Sequence, residues 1–130
     1  MIDLCCSRSY ICENLIKNLK LPTFAIDNVN HCRISICSIY DSAQKIDLMV
    51  KVSRMQGIAT PLETVSDSIK ESFVGLQLAD PNFNISGRVA LVIGPEVAPQ
   101  ILKGRIYSNP GLPLAQYTIF GWVISGQSPL

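Results

Sequence analysis

The run Arg88-Val89-Ala90-Leu91-Val92-Ile93-Gly94 constrains the fold most. An almost wholly apolar stretch ending in glycine reads as a strand buried on both faces, whose end passes close to another piece of backbone. A strand with no polar face needs cover on both sides, so it is expected at the centre of the molecule. The chain has the means to supply that cover. Its 130 residues suffice for one domain with a real core, and 48% hydrophobic against 16% charged residues describe a folded globule rather than a disordered segment.

Charge excludes several function classes. Eleven basic residues stand against 10 acidic ones with no local cluster of Lys and Arg, so there is no field to attract nucleic acid or anionic lipid, and neither is expected as a partner. No apolar run approaches the roughly 20 residues a membrane span requires. The opening Met1-Ile2-Asp3-Leu4-Cys5-Cys6 has a carboxylate where a signal peptide needs positive charge. The expected location is intracellular, in the cytoplasm.

Metal and redox chemistry have little to build on. The five cysteines, Cys5, Cys6, Cys12, Cys32 and Cys37, are odd in number and form no Cys-x-x-Cys pair, so they read as free, buried thiols. A bond between the adjacent Cys5 and Cys6 would be strained. The single histidine, His31, sits among Asn28 and Asn30 and reads as a solvated turn residue. No metal and no cofactor are expected.

Periodicity organises the rest. Residues 1–4 read as the end of a strand with Asp3 at its tip. A helix is expected from an N-cap at Ser9, with Ile11, Leu15, Ile16 and Leu19 on one face and Pro22 stopping it. Thr23 to Val29 reads as a strand. Cys32, Ile34 and Ile36 alternate with polar residues, as do Ile46, Leu48, Val50 and Val52, which predicts a hairpin with one buried face. A second helix is expected from Glu63 to Phe73, ended by Gly75, and a third from Pro95 to Leu102, ended by Gly104. Asp80-Pro81-Asn82 and Asn109-Pro110-Gly111 are turns, and Tyr117 to Phe120 and Trp122 to Ile124 are strands around Gly121. Gly94, Gly121 and Gly126 read as turn glycines and Trp122 as a core aromatic. The expected class is a mainly β fold with short helices.

Three stretches carry a resemblance: Leu76-Gln77-Leu78-Ala79-Asp80-Pro81-Asn82-Phe83, then Gly87 to Gly94, then Ala115-Gln116-Tyr117-Thr118-Ile119-Phe120-Gly121-Trp122-Val123-Ile124-Ser125-Gly126. Together with Ile2-Asp3, Ser9-Tyr10-Ile11 and Leu19-Lys20-Leu21-Pro22, they resemble the aspartic peptidase domain of BEL/Pao-type LTR retrotransposon polyproteins. The resemblance covers nearly the whole chain and is most specific in its last third. It implies a retropepsin-like fold, a small β-barrel, here N-terminally truncated, that supplies one catalytic aspartate and works as a homodimer on a peptide or polyprotein substrate. Two carboxylates facing across a dimer axis cannot both ionise, so they share a proton, one acting as base on water and the other as acid on the peptide carbonyl. Asp3 matches the catalytic aspartate, and Val92-Ile93-Gly94 matches the element that packs behind the catalytic loop.

The sequence also departs from that family. Asp3-Leu4-Cys5 stands where the family has Asp, Ser or Thr, and Gly, which removes a bracing hydroxyl and places a Cβ where glycine lets two loops meet. Thr23 to Cys32 stands where the family has its flap, but it is short and has no glycine. Ala90 and Pro95-Glu96 replace acidic and Ala-Asp residues. These differences point to a degenerate site. A second function class therefore stands beside the peptidase: a non-catalytic remnant or domesticated module that binds extended peptide by strand addition.

Overall fold

Alternation of apolar and polar residues builds the largest sheet. The computed structural model describes residues 1–54 and 59–126. In order they form β1 (Tyr10–Cys12), α1 (Glu13–Leu19), β2 (Phe24–Ile26), β3 (Val29–Cys37), β4 (Lys45–Ser53), β5 (Ala59–Thr60), α2 (Asp67–Glu71), β6 (Gly87–Arg88), β7 (Leu91–Val92), α3 (Ala98–Ile101), β8 (Leu102–Tyr107), β9 (Leu114–Thr118) and β10 (Gly121–Ser125). The fold is mainly β with short helices. The chain divides into two compact units, one of Met1–Ile36, Ile46–Ile58 and Arg88–Gln100, the other of Cys37–Lys45, Ala59–Gly87 and Ile101–Leu130.

The first unit carries a five-stranded sheet in the order β2-β3-β4-β1-β7. The expected hairpin is present as β3 and β4, and their apolar positions alternate inward as the pattern requires. β2 turns back onto β3 through Asp27 and Asn28, both at positive φ, so a two-residue hairpin turn forms without glycine. β1 runs parallel to β4 and antiparallel to β7. Ile11, Ile16, Cys32 and Val50 form the core, flanked by Leu15, Leu48, Val52 and Leu91. Each such aliphatic side chain contributes about 1.5 to 3 kcal/mol on burial.

In the second unit β8, β9 and β10 form an antiparallel sheet. Ile69, Phe73, Leu78, Ala115 and Trp122 are its core, and Phe83 meets Phe73 edge to face with ring centroids 5.9 Å apart. Gly121 opens β10 at φ +116°, and a Cβ there would stand 2.6 Å from the Gln77 carbonyl oxygen, so only glycine fits.

Several expectations are corrected. No closed barrel forms among the described residues: the strands make sheets of five, three and two strands. Closure of the five-stranded sheet would need its edges β2 and β7 to pair, but β7 has only two residues and its outer edge is taken by residues 1–3. The Arg88-to-Gly94 run is not one central strand. It breaks at Val89 and Ala90, Arg88 is exposed, and only Val92 to Gly94 are fully buried.

The first helix begins at Glu13 rather than after Ser9, because Tyr10, Ile11 and Cys12 pair with Lys51, Val52 and Ser53 instead. Ser9 caps nothing there, and Leu19 is exposed. His31 is a buried residue of β3, not a solvated turn residue; the Phe24 ring stacks on it and its Nδ1 lies 2.8 Å from the Val29 carbonyl oxygen. The second helix shrinks to Asp67–Glu71, since the Val65 N–H donates to the Asn84 carbonyl rather than along a helix. Gly104 does not stop a helix. At φ +76° it lies within β8, between Leu102 and Ile106, where the register with β9 shifts, so it serves a bulge in a strand.

Candidate active site

Asp3 is placed by backbone on one side and by its own side chain on the other. The Ile93 N–H donates to the Met1 carbonyl at 2.7 Å, and the Asp3 N–H donates to the Ile93 carbonyl at 2.8 Å, so Ile2 and Ile93 form a parallel bridge. The Met1 amino group reaches the Leu91 carbonyl at 3.1 Å. On the opposite edge of the same stretch, the Cys12 N–H donates to the Ala90 carbonyl and the Gly94 N–H to the Ser9 hydroxyl, each at 2.8 Å. Residues 91 and 93 thus bond toward the Asp3 strand end, and residues 90 and 94 toward β1 and Ser9. Ile93 and Gly94 therefore stand between the Asp3 strand end and Ser9.

The loop itself is a turn and a bend. The Cys5 N–H donates to Asp3 Oδ1 at 2.8 Å, an Asx turn that ties the carboxylate to the backbone of its own loop. Cys5 does not need the left-handed region, which among non-glycine residues described is occupied by Lys20, Asp27 and Asn28, so its Cβ adds no backbone strain within one chain. Leu4 is 61% exposed, and Cys5, Ser7 and Arg8 are exposed as well. The Cys6 thiol reaches back to the Asp3 and Arg8 carbonyls at 3.2 and 3.4 Å. Burial, then the negative charges of Asp3 and Glu96, push its pKa up, which keeps it a neutral donor.

The far end of the loop holds two residues that the sequence reading did not assign to the site. Ser9 is buried; its hydroxyl accepts the Gly94 N–H, and its own N–H donates to Glu96 Oε1 at 2.6 Å. A Cβ on Gly94 would stand 2.7 Å from Glu96 Oε2 and 2.9 Å from the backbone of both Arg8 and Ser9, so the close approach expected at this glycine is real. Partial desolvation pushes the Glu96 pKa up, but the Ser9 hydroxyl and N–H, its own N–H and the Arg8 charge outweigh it and hold the carboxyl below its ordinary value. The available signal was the sequence Gly94-Pro95-Glu96, a carboxylate two residues past a glycine that must stay bare.

Other features lie apart from Asp3. A concavity of about 460 Å³ is lined by Glu13, Lys17, Thr23, Asn28, Asn30 and Arg54 among others, and there Glu13 pairs with both Lys17 and Arg54. Another, of about 420 Å³, is lined by Asp67, Lys70, Glu71, Phe73, Val74, Leu76 and Leu78. Cys12 and Cys32 are buried thiols as expected, but Cys5 and Cys37 are exposed and Cys6 is half-buried. Among the described residues no group of three or more His, Cys, Asp or Glu is arranged to hold a metal ion, and no helix is long and apolar enough to cross a membrane. No protein-family model, curated protein or solved structure matches this chain.

Proposed function

We propose that this chain is an aspartic-peptidase-like, retropepsin-like domain of a retrotransposon polyprotein, with Asp3 as its acid. The observation that carries the reading is the seating of Asp3: its N–H is bonded to Ile93, within the Val92-Ile93-Gly94 element that the family resemblance pairs with the catalytic loop. In this reading two copies bring two Asp3 carboxylates together. They share one proton, one carboxylate takes a proton from water as that water attacks the peptide carbonyl, and the other protonates the carbonyl oxygen. The substrate is an extended peptide or polyprotein segment. Leu4 and Cys5, exposed at the loop where the copies would meet, make the site degenerate relative to the family.

The test is cleavage of a mixed peptide library between pH 4 and 7 by the wild type and by Asp3→Asn, with pepstatin as control. Pepstatin-sensitive cleavage that is lost in Asp3→Asn supports the reading, and well-folded wild type that cleaves nothing overturns it as an activity.

A second reading, a module that binds extended peptide by strand addition, is favoured by β2. This three-residue edge strand is exposed throughout, with Phe24 and Ile26 on the surface. Peptide affinity unchanged by Asp3→Asn and lost on Phe24→Pro would support it.

A further inference from the structure

The loop from Asp3 to Ser9 has little packing to hold its shape. Of its residues only Ser9 is buried, so hydrogen bonds rather than side-chain contacts decide its conformation. Both of its ends are anchored on one short piece of chain, and the Ser9 end on β4 as well. Asp3 is bonded to Ile93, while Ser9 is bonded to Gly94 through its hydroxyl, to Glu96 through its N–H and, through its carbonyl, to the Lys51 N–H at 3.3 Å. Between these anchors the bonds to Asp3 Oδ1 and to the Asp3 and Arg8 carbonyls are local, and could form in many loop shapes.

The Glu96 contact differs in kind from the others. It is a 2.6 Å hydrogen bond to an ionised carboxylate, the stronger class of hydrogen bond. The bare Gly94 leaves room for this approach: a Cβ there would stand 2.7 Å from the second carboxylate oxygen. The charged and titratable groups that bear on it are Arg8, which favours its ionised form, and Cys6, whose thiol is raised in pKa by burial, then by Asp3 and by Glu96 itself.

We infer that Glu96 is the positioning residue of this loop: by folding back over Gly94 to take the Ser9 N–H, it closes residues 3–9 into one shape and so sets where the Asp3 carboxylate stands. The inference rests on the reading of Asp3 as the acid for its functional meaning, but not for its test.

The test is amide hydrogen exchange on the full chain at pH 7, in the wild type, Glu96→Ala and Glu96→Gln. Glu96→Ala should speed exchange at Asp3, Cys5 and Ser9 about tenfold, while the amides of β1 and β4 keep their wild-type rates. Glu96→Gln retains an acceptor oxygen and should recover most of the protection. Unchanged exchange at Asp3 and Cys5 in Glu96→Ala would overturn the inference. An acceleration spread equally over β1 and β4 would overturn it too, since Glu96 would then serve the whole unit. Where the wild type cleaves peptide, Glu96→Ala should lower kcat about tenfold at unchanged KM, with rescue by Glu96→Gln; unaltered kcat would count against it. Absence of wild-type cleavage would refute the peptidase activity alone, leaving exchange to decide the role of Glu96.

Discussion

Two aspartate turns in this chain begin from the same backbone device. In the first unit, Ile93 accepts from Asp3 and donates to Met1; in the second, Trp122 accepts from Ala79 at 2.9 Å and donates to Gln77 at 2.8 Å. Both are parallel bridges, Ile2 with Ile93 and Leu78 with Trp122, and both lead into an Asx turn. The Cys5 N–H finds Asp3 Oδ1, and the Asn82 N–H finds Asp80 Oδ1 at 2.9 Å. The device alone therefore does not mark chemistry.

The difference lies downstream. The Asp80 turn closes on itself, with Pro81 next in sequence and the Phe83 N–H on the Asp80 carbonyl. The Asp3 loop runs on to Ser9 and is clasped a second time, by Gly94 and Glu96. A second clasp is what a loop needs when it must hold an exposed shape, and a plain turn needs none.

The glycines offer the largest handle on this comparison. Gly121→Ala should destabilise the protein by about 3 kcal/mol in urea unfolding, because strained φ and a backbone contact act together. Gly94→Ala should cost less, about 2 kcal/mol: its φ is not left-handed, and only the contacts with Arg8, Ser9 and Glu96 must give. It should also release Ser9 to exchange, an effect Gly121→Ala should lack. Equal costs for the two would show that close contact alone governs both sites.

A smaller effect should appear with pH. Glu96 has its carboxyl held below the ordinary value in the folded chain, so its stabilisation is complete above an unfolded value of about 4.3 and is lost as pH falls through the lower folded value. The urea midpoint of the wild type should therefore fall more steeply below about pH 5 than that of Glu96→Gln; parallel curves would argue against the Ser9 clasp in solution. The smallest effect is expected at the turn without a second clasp. Asp80→Asn keeps an acceptor for the Asn82 N–H and should change stability by less than about 0.5 kcal/mol, with any cleavage activity retained. A loss of cleavage there would erase the distinction between the two turns.

What was legible in the sequence follows from range. Ile34, Ile36, Ile46, Leu48, Val50 and Val52 announce their strands because alternation is a local signal. Gly94 is legible as a close approach and carries backbone contacts with Arg8 and Ser9, whereas Gly121 reads only as a turn glycine, because its contact with the Gln77 carbonyl is non-local. Ser9 and Ile11 misled because an apolar residue four places before Leu15 also fits a helix, while the pairing of β1 with Lys51, Val52 and Ser53 is non-local. His31 misled because its polar neighbours hid the Phe24 ring that covers it. Gly104 resembled a helix stop, since a positive φ serves a strand bulge equally well. At the candidate site Asp3 and the Val92-Ile93-Gly94 element came from resemblance. Glu96 was missed because its partner Ser9 is 87 positions away, and nothing in either neighbourhood names the other.

That distance also bears on when the site takes shape. The Met1 amino group and the Leu91 carbonyl are separated by 90 positions, and the first unit is gathered from three separate stretches of chain. Closing so long a loop adds little thermodynamic cost, since that cost grows only with the logarithm of length, but contacts of high sequence separation slow folding. On a ribosome the Asp3 segment is made before Ile93, Gly94 and Glu96 and receives these anchors only once they have emerged. The beginning of this chain is thus among the last parts of its unit to be finished.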